Sequence, residues 1–150
     1  VASALLNAAC GGGLLFSHDA RVHIVSPRSL ATVSTPVHLR WTGQLPTGST
    51  ATYAVFVDAV PVHPGQSLRS VAGKVCARSP GCVDVAWLNR HFVYLTRGNR
   101  LELDALPILG TAKADPRMHT ATIVLVNSAW IRLGESAWTV TFALAPPAPL

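Results

Sequence analysis

Thr120-Ala-Thr-Ile-Val-Leu-Val-Asn127, followed by Trp138-Thr-Val-Thr-Phe-Ala-Leu144, is the stretch that decides the fold. The first run is β-branched and apolar on both faces, the pattern of a strand buried in the middle of a sheet. In the second, Trp138, Val140, Phe142 and Leu144 alternate with Thr139 and Thr141, which gives one apolar and one polar face. Together they predict an antiparallel pair joined by the turn at 127–134.

The same period of two extends toward the N-terminus. Arg21–Val25 alternates and stops at Ser26-Pro27; Val37, Leu39 and Trp41 share a face opposite His38, Arg40 and Thr42. Tyr53, Val55 and Val57 define a third strand, with Asp58-Ala59 turning into a short Val60-Pro61-Val62 segment. Phe92–Thr96 reads as a strand, Arg97-Gly98-Asn99 as a hairpin turn, and Leu101, Leu103 and Ala105 as the apolar face of the returning strand. Ser67–Gly81 reads as irregular. Asp84 is placed to cap a short helix over Val85–Arg90, too short to stand without tertiary support.

About seven strands with frequent turns predict an all-β fold: two antiparallel sheets packed as a sandwich, with a short helix in a 64–91 insertion. Residues 1–19 read as a tether or anchor remnant with its linker, 20–145 as the sandwich, and 146–150 as a Pro-rich tail unable to pair in a ladder. Ile24-Val-Ser-Pro27, Val37-His-Leu-Arg-Trp-Thr42 and Tyr53-Ala-Val-Phe-Val-Asp58 resemble the opening of bacterial Ig-like or fibronectin-III-like domains. His119–Val126 and Glu135–Phe142 resemble their last two strands. The resemblance implies a sandwich used in adhesion, spacing or assembly. The inter-sheet disulfide of antibody domains is absent, since no cysteine lies on a predicted core strand.

Hydrophobic residues make up 49% of the 150-residue chain and charged residues 13%, roughly half the usual charged share. So few charges imply that part of the surface is covered by a partner or lies near lipid. No apolar run reaches the ~18–20 residues of a spanning helix. The net charge is +5, but the 12 Lys and Arg are scattered without a basic-aromatic stripe, which argues against nucleic acid as a partner.

The three cysteines divide as two plus one. Cys76 and Cys82 enclose the turn-forming Ala-Arg-Ser-Pro-Gly and are expected to join as a disulfide, which belongs to an oxidising compartment. Cys10 follows an apolar run and Ala8-Ala9 and precedes three glycines, so it resembles the lipid-attachment site of a bacterial lipoprotein. Asn7 stands where the lipoprotein motif usually has Leu, and residues 1–9, which processing would remove, are present. A retained signal anchor therefore stands beside lipidation, and a free buried thiol in a coincidental motif is the plain alternative to both. The first two place the chain outside the cytoplasm, held at a membrane by its N-terminal segment; the expected Cys76–Cys82 disulfide supports export independently.

Catalytic and metal motifs are not read here. The six histidines show neither His-x-His nor His-x-x-x-His spacing, and no Cys-His-Met grouping suits a copper site, so no cofactor is expected. Gly134-Glu135-Ser136 lacks the nucleophile elbow. Glu102 and Asp104 are expected to share an outer face as charge partners for Arg40 or Arg100, not as an acid-base pair. Trp87 on the insertion helix and Trp130, Ile131 and Arg132 at a turn tip are the candidate partner-binding residues; Trp130 and Ile131 either fold back onto the sandwich or form an anchor. The expected function is a non-enzymatic, membrane-tethered accessory subunit docking onto a membrane protein assembly such as a respiratory or photosynthetic complex. A cell-surface module for glycan or peptide is the alternative, and a metal carrier a more distant one.

Overall fold

The computed structural model describes residues 21–76, 81–107 and 117–146. Cys10, the 1–19 tether and most of the Pro-rich tail lie outside the described residues. Eight strands form two sheets: β1 (Val22–Ser26), β2 (Thr32–Val33), β3 (Val37–Gly43), β4 (Thr52–Val57), β5 (Val93–Thr96), β6 (Arg100–Leu103), β7 (Met118–Val126) and β8 (Trp138–Leu144). One sheet has the order β1-β3-β6 and the other β2-β8-β7-β4-β5, an Ig-like sandwich. All described pairings are antiparallel except β2 with β8. The two-residue β2 is too short to register as a period in the sequence.

The expected final pair forms, with Ile123 opposite Trp138 and Met118 opposite Ala143. β7 lies between β8 and β4, as its two apolar faces require. Its inward residues Ala121, Ile123 and Leu125 join Leu39, Trp41, Tyr53, Val55 and Phe142 in the inter-sheet core. Trp41 meets Tyr53 edge to face, with ring centroids 5.4 Å apart, a favoured aromatic geometry.

The other face of β4 and β7 is covered from within the chain. Ala54, Phe56, Val124 and Val126 pack against Val62, Leu68, Ala72, Val83 and Leu88, a second core beneath the insertion. Two short 3-10 turns, broken by a kink at Gly73, make up Leu68–Cys76 where irregular chain is expected, and α1 (Val85–Arg90) follows. Asp84 caps α1 as predicted, its carboxylate accepting from Trp87 N–H at 2.7 Å. Cys76 and Cys82 are disulfide-bonded, which closes a short ring within the insertion. Part of the low charge content thus serves a third layer of this same chain.

Arg97-Gly98-Asn99 is not a hairpin turn. β5 belongs to the five-stranded sheet and β6 to the three-stranded one, so these residues carry the chain across the sandwich. Arg97 donates to the carbonyls of Ala51 and Ser49 at 3.1 and 3.3 Å, and Asn99 Nδ2 to that of Gly43 at 2.9 Å. Residues that suit a tight turn here clamp the crossing to the β3–β4 loop. Among the described residues, no helix is long and apolar enough to cross a membrane.

Candidate functional site

The outer face of the three-stranded sheet is the candidate site. On β3 the alternation that turns Val37, Leu39 and Trp41 inward turns His38, Arg40 and Thr42 outward. On β6 the outward residues are Arg100 and Glu102, while Leu103 is buried. Register then sets the pairs: His38 faces Glu102 and Arg40 faces Arg100. A concavity of about 1100 Å³ lies over this face, lined by Ser26, His38, Arg40, Asn99, Arg100 and Glu102 among others.

The charges are not arranged as the sequence suggests. Glu102 Oε2 lies 3.3 Å from His38 Nδ1, so the carboxylate turns to the histidine directly opposite and not to Arg40 or Arg100. Asp104 lies past the end of β6, where its charge adds to the burial that raises the Tyr94 phenol above its ordinary pKa. Neither the Arg40 nor the Arg100 side chain has a hydrogen-bond or ion-pair partner among the described residues. Like charges directly opposite each other on a sheet destabilise it, so this pair is a local departure from what folding favours.

The residues singled out in the insertion layer face the second core. Trp130, in left-handed conformation at φ 62°, packs against that core, and the Arg69 guanidinium lies 5.6 Å from its ring centroid. Its turn is held by Asn127 Oδ1, which accepts from the backbone N–H of Ala129 and Ile131 at 2.9 and 3.0 Å. Ile131 bridges to Ser67 on the insertion. Trp130 thus folds back onto the second core while staying half-buried, and Ile131 is half-buried beside it.

Arg132 is buried. Its Nη1 donates to Val62 O at 2.7 Å and its Nη2 to Glu135 O at 2.9 Å, tying the turn to the insertion. Burial lowers its pKa, opposed by the charge of Glu135. Trp87 is half-buried and stacks on His91 with centroids 3.6 Å apart; His91 Nδ1 donates to Trp87 O at 2.8 Å.

A second polar arrangement has no signature in the sequence. His119 reads as a strand-end residue, yet it is buried and its Nδ1 lies 2.7 Å from Asp58 Oδ2. The other Asp58 oxygen accepts from Thr120 N–H at 2.7 Å. The pair is sealed between β4 and β7, a structural position. Among the described residues no three His, Cys, Asp or Glu side chains gather to hold a metal.

No family model matches the chain, and no curated protein or solved structure matches it.

Proposed function

We propose that this chain is a non-catalytic docking domain, an extracytoplasmic accessory subunit of a larger membrane protein assembly such as a respiratory or photosynthetic complex. The observation that carries this reading is the asymmetry of the sandwich. In the five-stranded sheet the outer faces of β4 and β7 are buried under the insertion, which carries the disulfide. The three-stranded sheet presents a concavity of mixed polar and apolar lining, with two arginines opposed in register. The Cys76–Cys82 disulfide supports an oxidising compartment. The apolar stretch before Cys10 supports a membrane tether, lipid or helical, on the sequence alone.

The docking surface in this reading lies on the opposite side from Trp87 and Trp130, because those side chains serve the second core. Membranes solubilised in mild detergent and chemically cross-linked test it. The chain is expected to co-migrate with a membrane complex, cross-linked through β3 or β6. Recovery only as a free monomer overturns it.

The second reading, a glycan- or peptide-binding module, is favoured by the concavity and its hydrogen-bonding side chains. Among the described residues the aromatic side chain at that concavity is Trp41, which is buried in the inter-sheet core at 3% exposure and offers no open platform. Trp138 lies in the same core, and Trp87 and Trp130 pack on the second. Glycan pull-down separates the two.

A further inference from the structure

We propose that the Arg40–Arg100 pair is a receptor for a carboxylate carried by a protein partner, an acidic side chain seated between the two guanidinium groups. This rests on the docking function above and adds the chemistry of the partner.

The ladder brings the two stems close. Trp41 N–H donates to Asn99 O at 3.1 Å, which marks residues 41 and 99 as a hydrogen-bonded pair. Antiparallel ladders alternate, so Arg40 and Arg100, one step along, occupy a non-hydrogen-bonded position. At such positions the Cα atoms stand about 4.5 Å apart and the side chains are at their closest. Glu102, the carboxylate available on this face, is held by His38. Among the described residues, two guanidinium forks are left on one side of a sheet with no acid paired to them.

A carboxylate fits this gap in shape and charge. The planar fork of arginine matches a carboxylate bidentately, which a lysine ammonium does not. A polyanion fits less well. Anionic lipid surfaces are read by clusters of about 4–8 basic residues, and duplex DNA by a comparable number of phosphate contacts. Here two arginines stand beside Glu102, which repels an extended negative surface. The net charge of +5 favours encounter with an acidic partner, and the pair supplies the local register.

The test uses the full chain. Arginine Nε–H resonances are followed by NMR during titration with an acetylated, amidated Gly-Glu-Gly-Glu-Gly peptide, its Gln counterpart and phosphatidylglycerol vesicles. Saturable shifts confined to Arg40 and Arg100 are expected with the Glu peptide, with affinity at least about tenfold weaker for the Gln peptide. Arg40→Glu should abolish the Glu-peptide response yet raise the melting temperature by about 1–4 °C, because it replaces a like-charge pair with an opposite one. Equal affinity for the two peptides, a response surviving Arg40→Glu, arginine-dependent binding of the vesicles in preference to the peptide, or a lowered melting temperature would each overturn the proposal. Failure with the peptide while the chain still co-purifies with a membrane complex removes the carboxylate site alone. Peptide binding by a chain recovered only as a monomer removes the accessory-subunit reading alone.

Discussion

His119 Nδ1 stands 2.7 Å from Asp58 Oδ2, with the two side chains 3% and 4% exposed. Asp58 follows β4 in a left-handed conformation, φ 51°, and its backbone N–H donates to Thr120 O at 2.8 Å. One carboxylate therefore locks the end of β4 to the start of β7 through its side chain and main chain together. Asp58→Ala strands the His119 and Thr120 donors in a buried site and is expected to cost about 3–5 kcal/mol in urea unfolding. Asp58→Asn tolerates the backbone conformation and keeps an acceptor for Thr120, so it should cost less. Equal losses in the two variants would mean that the hydrogen bonds are not what holds this corner.

Arg132 spans the turn and the insertion as a fork. Arg132→Lys keeps the charge but cannot reach the carbonyls of Val62 and Glu135 at once. A loss of about 1–3 kcal/mol is expected by denaturant unfolding. Hydrogen exchange should rise first at Gly65, whose N–H donates to Arg132 O, and at Arg132, whose N–H donates to Gln66 O.

Both tyrosines titrate late. Burial raises the Tyr53 phenol, partly offset by the Trp41 indole beside it, though that approach falls short of hydrogen-bond geometry. Burial and Asp104 raise Tyr94. Above the unfolded pKa of about 10 the unfolded chain releases protons that the folded one retains, so stability falls as pH rises from there through the folded values. Ultraviolet titration of the native protein should show no phenolate transition at the ordinary pH, and denaturant midpoints should drop from about pH 10 upward.

Gly43 ends β3 at φ 154°, and a Cβ there would lie 2.5 Å from the Arg21 carbonyl oxygen. Gly43→Ala must shift the β1–β3 pairing and is expected to cost about 1–3 kcal/mol in thermal unfolding. An unchanged melting temperature would show that this edge yields freely.

The Cys76–Cys82 ring is small, so its loop-entropy contribution is about 2–2.5 kcal/mol. The paired Cys76→Ser and Cys82→Ser variant should lose that much. Hydrogen exchange should rise at the end of the 3-10 stretch and at α1 before the inter-sheet core, since the ring lies between those two elements and within the insertion.

Local signals were legible wherever one residue's environment is set by its own segment. Asp84 caps α1 three residues from the N–H it accepts, and the alternation of β3 and β8 assigned their buried faces residue by residue. Arg97-Gly98-Asn99 misled for the opposite reason: its turn chemistry is genuine, but which sheet receives β6 depends on β3, far away in sequence. Trp130 has two readings in the sequence because its packing needs the insertion core beneath it.

The sequence by itself determined the all-β class, the central place of β7, the inward tryptophans Trp41 and Trp138, and the Cys76–Cys82 pair. Each follows from periodicity or spacing within a few residues. Only the tertiary structure decided that a third layer covers β4 and β7, that Asp58 meets His119 across 61 positions, and that Arg40 opposes Arg100 while Glu102 turns to His38. The physical reason is register. A strand's own pattern sets which face a side chain takes, but its opposite neighbour is chosen by pairing between distant strands, and charge and hydrogen bonding act on that neighbour.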